Sequence, residues 1–164
     1  MGATISAMPV HICEQPLDLG QAWQRGLAAE VGAMASFLGV VRDLPGGGLQ
    51  ALELEHYPGM TERAIEAMIE QARPRFGLHH AEVWHRVGRL EVGEPIVYVL
   101  TASPHRQAAL DGCAFLIDYL KTQAPFWKKE HGPAGAQWVD AREADDAALA
   151  RWGVASPLNA RNTA

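Results

Sequence analysis

The sequence contains little cysteine and no long apolar run. Its two cysteines, Cys13 and Cys113, are too few for a disulfide framework and do not form a CxxC pair. We interpret both as small buried residues in a reducing compartment. No stretch approaches the roughly 18 apolar residues that span a bilayer, and the N-terminus lacks the basic and apolar regions of a signal peptide. The sequence therefore predicts a cytoplasmic protein.

Several function classes are also excluded by what is missing. The net charge of −5 argues against a nucleic-acid-binding protein, because such proteins usually carry clustered Lys and Arg. GxGxxG, GxxxxGK[ST] and GxSxG motifs are absent, which argues against dinucleotide, P-loop and serine-hydrolase chemistry. His79 and His80 are adjacent and have no nearby Cys or carboxylate at metal-ligand spacing, so a zinc site is not expected.

The composition is that of an ordinary globular protein. A chain of 164 residues, 48% of them hydrophobic and 20% charged, is long enough to bury a core without disulfides. We predict one domain over residues 1–152, followed by a flexible C-terminal tail over residues 153–164.

Hydrophobic periodicity predicts interleaved strands and helices, and hence an α/β or α+β fold. Residues 31–41 are nearly all apolar or small, which favours a strand buried on both faces. The predicted strands are 10–13, 31–41, 49–56, 81–87, 96–102 and 137–139. The predicted helices are 17–27, one with Thr61 as N-cap that Pro74 ends, one that Ser103-Pro104 opens and Pro125 stops, and 143–152.

The residues best suited to chemistry are cationic. Lys121 lies at the end of an amphipathic helical pattern, and Lys128 follows it after a predicted Pro-Phe-Trp turn. His105 and Arg106 begin the same helix, where free backbone N–H groups favour anions. Arg42 ends a strand, next to a glycine-rich loop over residues 43–48 that is either a mobile flap or a simple surface connection.

Together these side chains predict a site for an anionic substrate. A plainer interpretation stays open, because lysines near helix C-termini also occur where they suit the helix dipole and are solvated. His56 and His85 lie on predicted strands, and we interpret them as hydrogen-bonded structural histidines.

Six segments, in order along the chain, resemble the large, catalytic subunit of molybdopterin synthase. The most specific are the phrases LEHYPGM and YLKTQAPFWK. The six segments are 37–43, 54–60, 85–90, 103–106, 118–128 and 138–142. The resemblance implies an α+β fold of the α/β hammerhead type, with an additional antiparallel β subdomain.

The resemblance also implies an activity. The family converts cyclic pyranopterin monophosphate into molybdopterin, in molybdenum cofactor biosynthesis, by inserting two sulfurs as a dithiolene. The sulfur donor is the C-terminal Gly-Gly thiocarboxylate of a small ubiquitin-like subunit, and no metal or other cofactor is implied. Two large subunits form a homodimer, which becomes a heterotetramer when a small subunit binds at each end.

The family's functional residues fall on positions of this chain that match its motifs. Its catalytic lysines correspond to Lys121 and Lys128, and its anion contacts to Arg42, His105 and Arg106. Arg142 corresponds to an arginine that the neighbouring protomer contributes. The chain departs from the family at Val40, where a lysine is frequent, and at Pro104, where alanine is usual.

Two other functions are compatible with the sequence. The chain could be a non-catalytic scaffold that grips the C-terminal tail of a ubiquitin-like protein through the same lysines. A phosphatase acting on a pterin phosphate is a weaker alternative, because the sequence presents no nucleophile or metal site.

Overall fold

A computed structural model describes residues 9–139 and 143–154. In these residues the chain forms eight strands and four helices. The strands are β1 Val10–Cys13, β2 Ala33–Val40, β3 Ala51–His56, β4 His80–Arg86, β5 Gly88–Leu90, β6 Pro95–Ser103, β7 Phe126–Gly132 and β8 Gly135–Val139. The helices are α1 Leu19–Gly26, α2 Met60–Phe76, α3 Arg106–Gln123 and α4 Glu143–Ala150.

The strands form two four-stranded sheets, so the fold is mixed α and β, as predicted. The first sheet has the order β1-β4-β6-β2, with β1 parallel to β4 and the other pairs antiparallel. Its interior strand β6 is apolar and buried along nearly all its length. It lies between β4 and β2, and helices cover both of its faces.

Helices cover both faces of the first sheet. On one face α2 and α3 bury their apolar stripes, including Ile65, Met68 and Leu116, in the main core. On the other face α1 packs Ala22 against Tyr98 and Leu100 of β6. Glu82 of β4 is fully buried beneath α1, where it pairs with Arg25 and His80 and accepts a hydrogen bond from Trp84 Nε1.

The second sheet is wholly antiparallel and has the order β5-β3-β7-β8. One face carries Leu52 and Leu54 toward the core. The other face is open and presents Trp127 and Trp138, which are 42% and 53% exposed. A short helix, α4, follows this sheet and ends at Ala150. Just beyond it, the indole Nε1 of Trp152 donates to Asp118 at 2.7 Å and the ring packs against Phe115.

The structure corrects two predicted helix boundaries. Pro74 does not end α2 but lies inside its last turn, and the helix ends at Phe76 with Gly77 in the left-handed conformation. Proline removes only one N–H there, and glycine is the residue that the left-handed cap requires. Thr61 is not the N-cap either: Gly59 occupies that position, and Glu62 accepts a hydrogen bond from its N–H at 2.6 Å.

Two strand predictions also change. Residues 125–127 do not form a turn before Lys128, because β7 already begins at Phe126. The segment 31–41 forms β2, but as an edge strand of the first sheet it is not buried on both faces, and Leu38 and Val40 are 40% and 49% exposed. The other predicted strands and helices are confirmed with shifts at their ends. No helix in the described part of the chain is long and apolar enough to cross a membrane.

Candidate active site

Lys121 and Lys128 reach a common region from two different elements. Lys121 lies in the last turn of α3 and is exposed to solvent. Lys128 is half-buried on β7, where it pairs with Leu54 of β3 and Val139 of β8. Because directly paired residues share a face, Lys128 lies on the same side of the sheet as the buried Leu54.

The two lysines meet around His85 of β4. The pKa of His85 is lowered to about 4, chiefly by burial and also by the positive charges of Lys128, His56 and Lys121, against a hydrogen bond to the Arg86 carbonyl that raises it. Both lysines must lie near the imidazole to act in this way. His85 is therefore neutral at pH 7, and the positive charge of this region belongs to the lysines.

The junction between α3 and β7 fixes the position of one lysine relative to the other. The Phe126 ring stacks on the His85 ring with centroids 3.9 Å apart. The hydroxyl of Thr61, which is fully buried, donates to the Pro125 carbonyl at 3.2 Å. The Phe126 N–H donates to the Ala124 carbonyl at 2.9 Å. A helix end and a strand start are thus held together by the core, and each presents one lysine.

Arg42 lies at the same end of the first sheet as His85. His85 pairs with Val97 of β6, which pairs on its other side with Gly39 of β2. Arg42 follows the end of β2, where Val41 donates to the Glu94 carbonyl at 2.9 Å. The guanidinium is exposed. Arg42 therefore lies near the end of the first sheet that also carries His85.

The glycine-rich loop beside Arg42 is held by its own first residue. Asp43 Oδ1 accepts hydrogen bonds from the N–H groups of Leu44 at 2.7 Å and Leu49 at 2.8 Å. Gly48 has a φ of +97° and packs against Pro133, to which an added Cβ would approach within 2.9 Å. The loop, which leads from β2 to β3, thus packs against the β7–β8 turn.

The structure does not bring His105 and Arg106 to Lys121 within one chain. They lie at the N-terminus of α3, where His105 is the N-cap and both side chains are exposed. Arg106 and Lys121 are about 22 Å apart along the helix, at a rise of 1.5 Å per residue. The predicted cationic set therefore divides into two groups at opposite ends of α3. Arg142 lies outside the described residues.

Sequence reasoning did not assign a role in this site to His85 or Thr61. His85 is a structural histidine as predicted, with Nδ1 2.8 Å from the Arg86 carbonyl oxygen. Its inward position was visible in the alternation of Ala81, Val83 and His85. Its contact with Phe126 had no sequence signal, because the two residues are far apart in the chain.

Comparisons with known proteins show the family to which the chain belongs. The sequence profile described as "MoaE protein" matches residues 12–123. A relative from Cereibacter sphaeroides named "Molybdopterin synthase catalytic subunit" is 53% identical over 148 residues, which cover 88% of this chain and all of the relative.

Solved structures share the fold. The "Molybdopterin biosynthesis MoaE protein" of Burkholderia ambifaria has a TM-score of 0.77 and 48% identity, over 88% of this chain and 97% of that one. A Helicobacter pylori structure, a complex of subunits 1 and 2 of a molybdopterin-converting factor, has a TM-score of 0.70 at 24% identity, over 83% and 92% of the two chains. By its profile match and by the near-complete coverage of its curated relatives, the chain belongs to the MoaE family.

Proposed function

We propose that the chain is the catalytic subunit of a molybdopterin synthase, which converts cyclic pyranopterin monophosphate into molybdopterin by transferring two sulfurs to form a dithiolene. The observation that carries this proposal is the convergence of Lys121 and Lys128, from a helix and a strand, around the buried His85. Family membership and the curated name of its relatives support the same activity.

The chemistry requires that two anions approach each other. The pterin carries a phosphate, and the sulfur donor carries a thiocarboxylate, so their repulsion must be offset before sulfur can attack. Lys121 would contact the thiocarboxylate and stabilise the oxyanion of the tetrahedral intermediate. Lys128 would give or accept the proton that accompanies loss of oxygen from the pterin side chain. Arg42, at the same end of the molecule, would hold the phosphate.

The sulfur donor would be a small ubiquitin-like subunit with a C-terminal Gly-Gly thiocarboxylate. The Helicobacter pylori structure that shares this fold is described as a complex of two subunits, which supports a partner of this kind. The second, antiparallel sheet fits the additional subdomain of the hammerhead fold that the sequence resemblance implies. The assembly would be a homodimer of this chain with one small subunit at each end.

The homodimer also has a chemical role in this proposal. Since His105 and Arg106 lie about 22 Å along α3 from Lys121 in the same chain, a second copy would have to supply them to complete the anion site. Arg142 would come from the second copy in the same way. Each active site would then contain the lysines and Arg42 of one protomer and further anion-binding side chains of the other.

The proposal is tested by reconstituting the reaction. The protein is mixed with the thiocarboxylated small subunit and cyclic pyranopterin monophosphate, and the oxidised fluorescent derivative of molybdopterin is measured. Lys121→Ala should lower the rate at least about 100-fold, because one electrostatic group at the reacting carbonyl contributes that much. Lys129→Ala is the matched control, since Lys129 lies on the opposite face of β7 against the Trp138 ring.

The outcomes separate the candidate functions. Full turnover by Lys121→Ala would contradict the assigned role of Lys121. A non-catalytic scaffold would bind the small subunit and yield no fluorescent product even as the wild-type protein.

A further inference from the structure

His56 lies beside Lys128 on the face of the second sheet that is turned toward the core. In β3, Leu52, Leu54 and His56 share this face, because side chains alternate along a strand. Leu54 pairs directly with Lys128 of β7, and His56 pairs with Phe126, two residues earlier. His56 and Lys128 are therefore diagonal neighbours on one face, with Cβ atoms about 7 Å apart, a separation that a lysine side chain can span.

The backbone around His56 is tied to the start of β7. The residue after it, Tyr57, donates its N–H to the Thr61 hydroxyl oxygen at 3.1 Å. The same hydroxyl donates to the Pro125 carbonyl at 3.2 Å, in the junction from which β7 begins. One buried hydroxyl thus connects the end of β3 with the start of β7, so the imidazole of His56 keeps its place relative to Lys128.

A carboxylate lies on the other side of this imidazole. Glu62 Oε1 is 3.8 Å from His56 Nε2, so a proton taken up by the ring gains an ion-pair partner. The second oxygen of Glu62 accepts the Gly59 N–H at 2.6 Å, which holds the carboxylate at the start of α2. The imidazole therefore lies between a fixed anion and the lysine of the proposed proton-transfer step.

The second imidazole of this site, His85, is shut off from solvent. It is buried, and its ring stacks on Phe126 with centroids 3.9 Å apart. The side chain of His56 is 18% exposed. Among the described residues of the site, His56 is therefore the imidazole that contacts solvent and also neighbours Lys128. The ionisable groups that face His56 from the elements packed around it are Glu62 of α2, Lys128 of β7, His85 of β4 and Lys121 of α3.

Water reaches His56 through a pocket on the side away from the core. The pocket has a volume of about 470 Å³ and is bordered by the exposed rings of Trp127 and Trp138. Its lining residues are Glu55, His56, Tyr57, Trp127 and Trp138. Since Lys128 is not among them, a proton can pass from solvent to His56 without crossing the position of the substrate.

We propose that His56 acts through Lys128, as the positioning residue that returns a proton to Lys128 after each proton transfer to the substrate. In the proposed reaction a C–O bond of the pterin side chain breaks, the electron pair stays with the oxygen, and Lys128 gives that oxygen a proton. Lys128 is then a neutral amine. The imidazolium of His56 gives its proton to this amine and takes another from water in the pocket, while Glu62 stabilises the imidazolium.

The residue types suit this exchange. Imidazole takes up and releases protons near neutral pH, and an amine binds a proton more tightly than an imidazole does. The proton therefore moves from the imidazolium to the amine with a favourable free energy. This role rests on the proposed function, because it needs the proton transfer that the reaction assigns to Lys128.

Chemical rescue tests the role of His56 in the reconstituted reaction. His56→Ala should lower kcat about tenfold, which is less than the roughly 100-fold cost of losing a general acid itself, because water replaces part of the proton return. KM for the small subunit should stay unchanged. Added imidazole should restore most of the rate, since it can enter the space beside the pocket. The rescued rate should fall as the pH rises through the pKa of free imidazole, because imidazolium is the proton donor.

Two comparisons separate this role from a structural one. His131→Ala is the matched control, since His131 Nε2 lies 2.7 Å from Glu53 Oε2 on the opposite face of the same two strands, and it should keep the wild-type rate. The double variant His56→Ala, Lys128→Ala should be no slower than Lys128→Ala and should not respond to imidazole, because His56 acts only through Lys128. Far-ultraviolet circular dichroism and thermal unfolding check that the variants fold.

Each outcome decides the proposal. A wild-type rate in His56→Ala, a slow His56→Ala chain that imidazole does not rescue, or an effect confined to KM would overturn the role of His56 and leave the proposed function standing. A wild-type chain that forms no molybdopterin would end the proposed function and this role together.

Discussion

The pKa of His85 reports directly on whether Lys121 and Lys128 share one site. Removing either positive charge, in Lys128→Met or Lys121→Met, should raise the pKa of His85 above its present value of about 4. Methionine keeps a side chain of similar length and removes the charge. Lys129→Met is the control, because the Lys129 ammonium lies over the Trp138 ring on the other face of the sheet.

The size of the effect follows from its causes. The pKa of His85 falls from 6.5 to about 4, which corresponds to about 3 kcal/mol between the charged and neutral forms. Burial is the largest cause and persists in the variants. We therefore expect each lysine substitution to raise the pKa by about 0.5, the effect of one partly screened charge near the imidazole. The effect should shrink at high salt to the extent that solvent screens the pair.

The assay is an NMR titration of the imidazole Cε1–Hε1 signal of His85, assigned with His85→Gln. A folded-state pKa below that of the unfolded chain gives stability that is present above pH 6.5 and lost as the pH falls toward 4. Urea unfolding across that pH range should show the same change in the pKa of His85 between the wild-type chain and the lysine variants. If Lys129→Met moves the pKa of His85 as much as Lys128→Met does, or if neither Lys128→Met nor Lys121→Met moves it, the two lysines do not meet around His85.

Three further predictions concern stability, measured by urea unfolding. Burial alone would raise the pKa of Glu82, but hydrogen bonds from His80, Arg25 and Trp84 outweigh burial and lower the pKa to about 2. Glu82→Gln should therefore lower the free energy of unfolding by about 3 kcal/mol at pH 7. The same substitution should flatten the loss of stability between pH 4.5 and 2. Trp152→Ala should cost about 3 kcal/mol because the ring packs on Phe76 and Phe115, whereas Trp138→Ala on the open sheet face should cost below about 1 kcal/mol. Gly39→Ala should cost about 1–3 kcal/mol, since its Cβ would lie 2.5 Å from Val97, and Ser36→Ala on the same strand is the control.

Much of the fold followed from local chemistry that the sequence displays. Strand β6 was predicted because its β-branched residues form one unbroken apolar run, and it is the most completely buried strand in the described part of the chain. Helix α3 was predicted from its apolar stripe and from the prolines on both sides. The errors arose where tertiary contacts decide. Pro74 is tolerated in the last turn of α2, and the helix ends only where Gly77 adopts the left-handed conformation of the cap.

The candidate site was predictable in its residue types but not in its geometry. Cations flanking aromatic rings predicted an anion site, and Lys121, Lys128 and Arg42 lie at the same end of the structure. Periodicity did not show that α3 holds His105 and Arg106 far from the lysines. That separation follows from the length and the direction of the helix in the fold. The exposure of β2 was missed for a similar reason: an apolar strand at the edge of a sheet looks the same in sequence as one in its interior.

The order of elements explains why the two lysines can act together. Lys121 lies in the last turn of a helix and Lys128 lies on a strand, so each backbone is rigid, and only residues 124–125 separate α3 from β7. This connection is fixed by the hydrogen bond from the Thr61 hydroxyl to the Pro125 carbonyl and by the stacking of Phe126 on His85. Charges held by such a scaffold need little reorganisation when a negative charge develops between them, which is the main source of electrostatic catalysis. Loosening the junction, as in Thr61→Val, should therefore lower the rate of sulfur transfer while both lysines remain in place.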